Sequence, residues 1–179
     1  MFSTESTILL VIDLQEKLAP LMYEKDQIIL QVSKLIRFAR IMDIPILVTE
    51  QVPQKIGRTI PQIVGLIEHI QPILKSSFSC VGNDAFVQRL QASGRQQVVV
   101  TGIEAHVCVY QTVRALLEKK FMVEVVSDAI SSRRAADKCI ALERMKWLGA
   151  SLTSTEMIIC ELLKTAEHPK FREVIRLIK

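Results

Sequence analysis

The chain has 179 residues, of which 49% are hydrophobic and only 5% aromatic, with a formal net charge of +4. That length suits one domain with a sizeable aliphatic core. Lys and Arg are scattered, with doublets only at Lys119-Lys120 and Arg133-Arg134, so no nucleic-acid partner is expected. No apolar run approaches the roughly 20 residues of a membrane span, and the N-terminal residues lack the basic start of a signal peptide. The four cysteines, Cys80, Cys108, Cys139 and Cys160, show neither CxxC pairs nor regular spacing, which predicts reduced thiols and a cytoplasmic location.

Strand-like and helix-like segments alternate along the chain. Thr7–Ile12 is an apolar run of strand length ending at Asp13, and residues 26–42 carry Ile28, Ile29, Val32, Leu35, Ile36 and Ala39 at helical spacing. Pro45–Thr49 reads as a second strand. Residues 50–61 hold two prolines and a glycine and read as a loop, with a short helical turn over 63–67. Pro72–Leu74 is a third strand, ending at Lys75. Gly82-Asn83-Asp84 predicts a turn and cap before a helix to about Ser93. Gln97–Thr101 is strand four, and Gly102 follows it. An amphipathic helix spans Val107–Lys119, and strand five covers Phe121–Val126, with Ser127-Asp128 at its end. A helix over Arg134–Leu148, a sixth strand over Ala150–Thr153, and helices over Thr155–Lys164 and Lys170–Ile178 complete the chain.

Such alternation predicts right-handed βαβ units in a three-layer α/β/α fold, with a six-stranded, mainly parallel, Rossmann-like sheet. No GxGxxG follows the first strand and no P-loop is present, so no nucleotide cofactor is implied.

Ligands of parallel α/β sheets sit beyond the carboxyl ends of the strands. Asp13, Lys75 and Cys108 all fall at or just past such ends. A thiol at a helix N-terminus is expected to have a lowered pKa. A carboxylate can take its proton, an ammonium can stabilise both anions, and the thiolate can attack a carbonyl carbon. Lys75 starts two strand spacings from Asp13, roughly 10 Å, which its side chain must cover. Each residue also has a plain structural reading, as cap, solvated lysine or small core residue; the chemical reading rests on convergence of the three.

Leu10-Val11-Ile12-Asp13-Leu14-Gln15, Ile46-Leu47-Val48-Thr49-Glu50-Gln51, Leu74-Lys75-Ser76-Ser77-Phe78-Ser79, Val126-Ser127-Asp128-Ala129 and above all Gly102-Ile103-Glu104-Ala105-His106-Val107-Cys108 make the chain resemble the isochorismatase-like cysteine hydrolases. That superfamily includes nicotinamidases and N-carbamoylsarcosine amidases. The resemblance runs from about residue 6 to 160 and implies one such hydrolase domain over residues 1–179. It implies Cys108 as nucleophile, Asp13 as general base and Lys75 as cationic partner. It also implies a non-proline cis peptide at Ile103–Glu104, which would turn the Glu104 N–H inward to form an oxyanion hole with that of Cys108.

The metal-binding members carry Asp-x-His and a further His after the second strand, where this chain has Glu50-Gln51-Val52-Pro53-Gln54-Lys55, so no metal is expected. Isochorismatase proper lacks the cysteine, which points this chain toward the amidase-like branch and a small-molecule substrate. Gln15, Gln51, Ile103 and His106 are candidate pocket residues, with loop hydrogen bonding or turn packing as their alternatives. The resemblance implies a homo-oligomer, with residues 155–179 as candidate interface helices and Trp147 in core or interface. Two other classes stay open: a non-catalytic binding homologue, and a redox-sensing thiol protein. The latter lacks a second cysteine near Cys108 in sequence to resolve a sulfenic acid.

Overall fold

The most apolar run, Thr7–Ile12, lies at the centre of the molecule as β1, every residue buried. This computed structural model describes residues 1–179. Around β1 the chain builds a six-stranded sheet in the order β3-β2-β1-β4-β5-β6, from β2 (Ile46–Gln51), β3 (Ile73–Lys75), β4 (Gln97–Ile103), β5 (Met122–Ser131) and β6 (Ser151–Thr153). Every pair is parallel. The order reverses between β1 and β4, so the crevice beyond their carboxyl ends is the topological switch point.

Helices cover both faces. α1 (Lys25–Ile41), α7 (Thr155–Leu163) and α8 (Phe171–Ile178) enclose one apolar cluster, in which Val32, Leu35, Ile36, Ile158 and Val174 meet Leu9, Val11 and Val99 of the sheet. On the opposite face, α4 (Asp84–Ala92), α5 (Tyr110–Glu118) and α6 (Ala135–Trp147) close a second cluster around Ile8, Leu10, Val98, Val100 and Phe86. Strand residues alternate between the two clusters because successive side chains point to opposite faces. Burying a Leu or Ile in either contributes about 1.5–3 kcal/mol. α4 starts where expected, the Asn83 side chain accepting from the Phe86 N–H at 3.0 Å.

Three segments depart from the sequence expectation. The 50–61 segment is not all loop: β2 runs on to Gln51, α2 occupies Pro53–Ile56 and α3 occupies Pro61–Val64. Proline at the first helical position has no hydrogen bond to lose, so these prolines start helical turns. β5 runs five residues beyond Val126, to Ser131, and rejoins β4 past a bulge through the pairs Gly102–Ile130 and Ile103–Ser131. The expected helix over 107–119 is a π turn, Ala105–Val109, followed by α5. The last helices turn most of their apolar residues toward α1, while Met157 of α7 stays exposed. The exposed apolar side chains include Ile140 and Trp147 on α6, and Trp147, 86% exposed, is not a core residue.

Candidate active site

Asp13 follows β1, is fully buried and has φ +49°. Its Oδ1 accepts from the Thr49 hydroxyl of β2 at 2.7 Å, and its Oδ2 accepts from Lys75 Nζ of β3 at 2.6 Å. The lysine side chain thus spans β2, as the strand order requires, and both side chains of the ion pair are 0% exposed. Lys75 Nζ also donates to Gln51 Oε1 at 2.6 Å and to the Ser77 and Phe78 carbonyls at 3.2 Å. Burial disfavours the ammonium, but the acidic groups around it, Asp13 first, outweigh that and hold its pKa above the ordinary lysine value.

Cys108 lies in the π turn, 7% exposed, within the electrostatic reach of Asp13, Lys75 and a second thiol, Cys80. The expected lowering of its pKa is reversed. Burial, and after it the Asp13 carboxylate, push the thiol well above its ordinary value, with Lys75 opposing only in part. The cysteine sits inside a buried π turn beside a carboxylate, where desolvation and like charge outweigh any benefit from the helix start. The structure therefore presents a neutral thiol next to a carboxylate that can receive its proton.

Two constituents were not legible in the sequence. Thr49 orients the Asp13 carboxylate, and Cys80, remote in sequence, lies fully buried with its Sγ 3.9 Å from Thr49 Oγ1. The Cys80 N–H donates to Thr112 Oγ1 of α5 at 3.0 Å, which ties this thiol to the helix that follows Cys108. Burial, and after it the Asp13 charge, push Cys80 up to about 11. Spacing alone hid this second thiol near the site.

Before the cysteine, the Ile103–Glu104 peptide is cis. The Glu104 N–H donates to no protein acceptor, while the Glu104 side chain accepts from Arg133 Nε at 3.1 Å. Gly102 has φ +109°, and a Cβ there would stand 2.1 Å from the Ile12 carbonyl oxygen, so the turn admits only glycine.

Of the candidate pocket residues, Gln51 touches the site through Lys75. Gln15 is fully buried, and its amide is committed to the loop: Oε1 accepts from the Gln51 N–H at 2.7 Å, and Nε2 donates to the Gln51 and Gly57 carbonyls at 3.0 and 2.6 Å. Ile103 is fully buried in the α1-side cluster, because alternation along β4 turns it inward. These two are packing and loop-holding residues rather than pocket lining. His106 hydrogen-bonds through Nδ1 to Ser132 Oγ at 2.8 Å, at the end of β5. No group of three or more His, Cys, Asp and Glu side chains is arranged to hold a metal ion. A cavity of about 530 Å³, lined by Glu50, Thr59 and Leu74 among others, includes none of Asp13, Lys75 and Cys108.

Residues 7–157 match the isochorismatase domain model. The chain belongs to the isochorismatase family. It is 39% identical over 176 residues to isochorismatase domain-containing protein 2A of Mus musculus, covering 98% of this chain and 84% of that protein. Among solved structures, one described as MAR1 ribonuclease from Caenorhabditis elegans superposes with a TM-score of 0.94 at 40% identity, covering 99% of this chain and 91% of that one. The Escherichia coli YcaC product, described as an octameric hydrolase of unknown specificity, shares the fold at TM-score 0.89 and 23% identity, covering 98% and 94%. The family membership supports a hydrolase-like function. No helix of this chain is long and apolar enough to cross a membrane.

Proposed function

We propose that this family member is a metal-independent cysteine hydrolase that cleaves a small amide or related carbon–nitrogen bond. The observation that carries the reading is the Asp13 carboxylate, buried and held by Lys75 and Thr49, beside a Cys108 thiol that burial, and after it the Asp13 charge, keeps protonated. In this reading Asp13 takes the thiol proton as Cys108 Sγ attacks the carbonyl carbon. The oxyanion is held by the N–H groups of Glu104 and Cys108. The protonated Asp13 then gives its proton to the leaving nitrogen, and a thioester remains on Cys108. Water, deprotonated by Asp13, hydrolyses the thioester to release the acid and restore the thiol. Lys75 stabilises the carboxylate and the transient thiolate, and Gln51 holds the lysine head group.

A raised thiol pKa suits this cycle: the nucleophile is formed only when the base removes its proton during attack. Four free cysteines fit a reducing, cytoplasmic setting, and an assembly of several copies fits the octameric relative.

A second reading, cleavage of RNA, is favoured by the description of the 40% identical relative as a ribonuclease. Against it, Asp13 and Lys75 have no exposed side-chain surface and Cys108 is 7% exposed, which suits a small carbonyl compound better than a folded polymer backbone. The test is a panel of small primary and secondary amides and carbamoyl compounds, run beside a labelled RNA, with wild type and Cys108→Ala. Amide turnover that falls at least about a thousandfold in the variant, with a mass adduct on Cys108 during turnover, is the expected result. RNA cleavage unaffected by Cys108→Ala, with no amide turned over, overturns the reading.

A further inference from the structure

The parallel register of β2 and β3 divides their residues between two faces. Gln51 pairs with Lys75 and points to the Asp13 site, whereas Glu50 pairs with Leu74 and points to the other face. On that other face lies the cavity of about 530 Å³, whose wall includes Val64, Ile67 and Leu74. Glu50, only 5% exposed, forms part of its lining. Its Oε1 accepts twice from Thr59, from the N–H and from the hydroxyl, both at 2.8 Å. Its Oε2 accepts from no protein donor, and no cation lies within ion-pair distance of the carboxylate.

A carboxylate removed from water normally gains a counter-charge or a full set of donors. Glu50 has two neutral donors on one oxygen, and it lines a cavity of mixed character, polar along Gln54, Thr59 and Gln71 and apolar along Val64, Ile67 and Leu74. Arg58 and Glu68 also line the cavity, both exposed and one of each sign, so together they add no net charge to that of Glu50. The charge at the floor is therefore the one a ligand must match. Glu50 and Glu68 have no third His, Cys, Asp or Glu donor with them, so the cavity does not make a metal site, and the apolar part of its lining calls for an organic body.

From this geometry we propose that the Glu50 cavity is a second binding site, separate from the Asp13–Lys75–Cys108 site, for a small organic cation: a primary amine carrying a compact aliphatic or aromatic group. Its ammonium donates to Glu50 Oε2 while its apolar part covers Val64, Ile67 and Leu74.

The test is titration calorimetry of the full chain with benzylamine and with n-hexylamine, each against its neutral alcohol counterpart. At least one amine binds saturably below about 10 mM, a range that such titrations resolve, and binds at least tenfold more tightly than its alcohol. Glu50→Gln, which keeps an oxygen for Thr59 to donate to, weakens the amine at least tenfold. Leu74→Trp, a replacement at an exposed wall position, fills the cavity and does the same without touching the carboxylate. Cys108→Ala leaves the affinity within twofold, which separates this site from the catalytic one. Failure of both amines to saturate, equal binding of amine and alcohol, or binding that survives both cavity variants overturns the proposal. Loss of binding in Cys108→Ala also overturns it, by placing the amine in the other site.

Discussion

Asp13 and Glu50 are both carboxylates buried near the carboxyl edge of one sheet, on neighbouring strands, and they are held in opposite ways. Each Asp13 oxygen has its own donor, one of them an ammonium at 2.6 Å. Glu50 has both of its donors on one oxygen, and both are neutral. The difference teaches what each can do. Asp13 sits in a closed polar cluster that ties its charge to Lys75 and projects it onto two thiols. Glu50 is oriented by Thr59 but left without a counter-charge, on the side of the strand that faces open volume. One strand serves both places, because alternation sends Thr49 and Gln51 toward the Asp13 site and Glu50 itself to the other face.

The sharpest way to break this comparison is Asp13→Asn. Removing the base lowers hydrolysis by about 10²–10⁴-fold. The same change removes the carboxylate that raises the Cys108 pKa, so iodoacetamide alkylation of Cys108 at neutral pH becomes faster. A variant dead in turnover and quicker in alkylation marks Asp13 as a base beside a protonated thiol. Slower alkylation would show that the carboxylate had been activating the thiol at rest.

Next in size is Lys75→Met, which strands a buried carboxylate and costs about 3–5 kcal/mol in urea unfolding. Combining it with Asp13→Asn recovers most of that loss, since no uncompensated charge remains. A single variant as stable as wild type would remove the ion pair from the account of the fold.

A smaller effect concerns Cys80, raised to about 11 from an ordinary 9. Its folded pKa lies above the unfolded one. Its contribution is therefore complete below pH 9 and declines as the unfolded chain alone releases the proton between 9 and 11. Cys80 accounts for about 2–3 kcal/mol of the stability lost across that window, and Cys80→Ala shows a correspondingly flatter profile in urea unfolding at stepped pH. Equal profiles would mean that Cys80 is less buried in charge terms than its surroundings indicate.

The smallest expected effect is on the other carboxylate. Glu50→Gln changes stability by under about 1 kcal/mol, because an amide oxygen still accepts from Thr59 and no ion pair is broken. A cost like that of Lys75→Met would show that the two carboxylates are held alike.

The amino-acid sequence by itself determined the alternation of strands and helices and the parallel sheet, because aliphatic runs bounded by Asp13, Lys75 and Gly102 are local signals that periodicity can read. It also marked Asp13, Lys75 and Cys108 as strand-end residues of matching chemistry. Its reading of the 50–61 segment failed where prolines at first helical positions looked like loop punctuation. Its reading of strand five stopped short because pairing with β4, rather than local composition, carries β5 on to Ser131. Only the tertiary structure decided the rest. It brought Lys75 across β2 to Asp13, and it added Thr49 and Cys80 from distant parts of the chain. It turned the expected acidic thiol into one held protonated and left Glu50 facing a cavity. Those outcomes depend on burial and on charges within a few ångströms, quantities that arise only when separate segments are packed together.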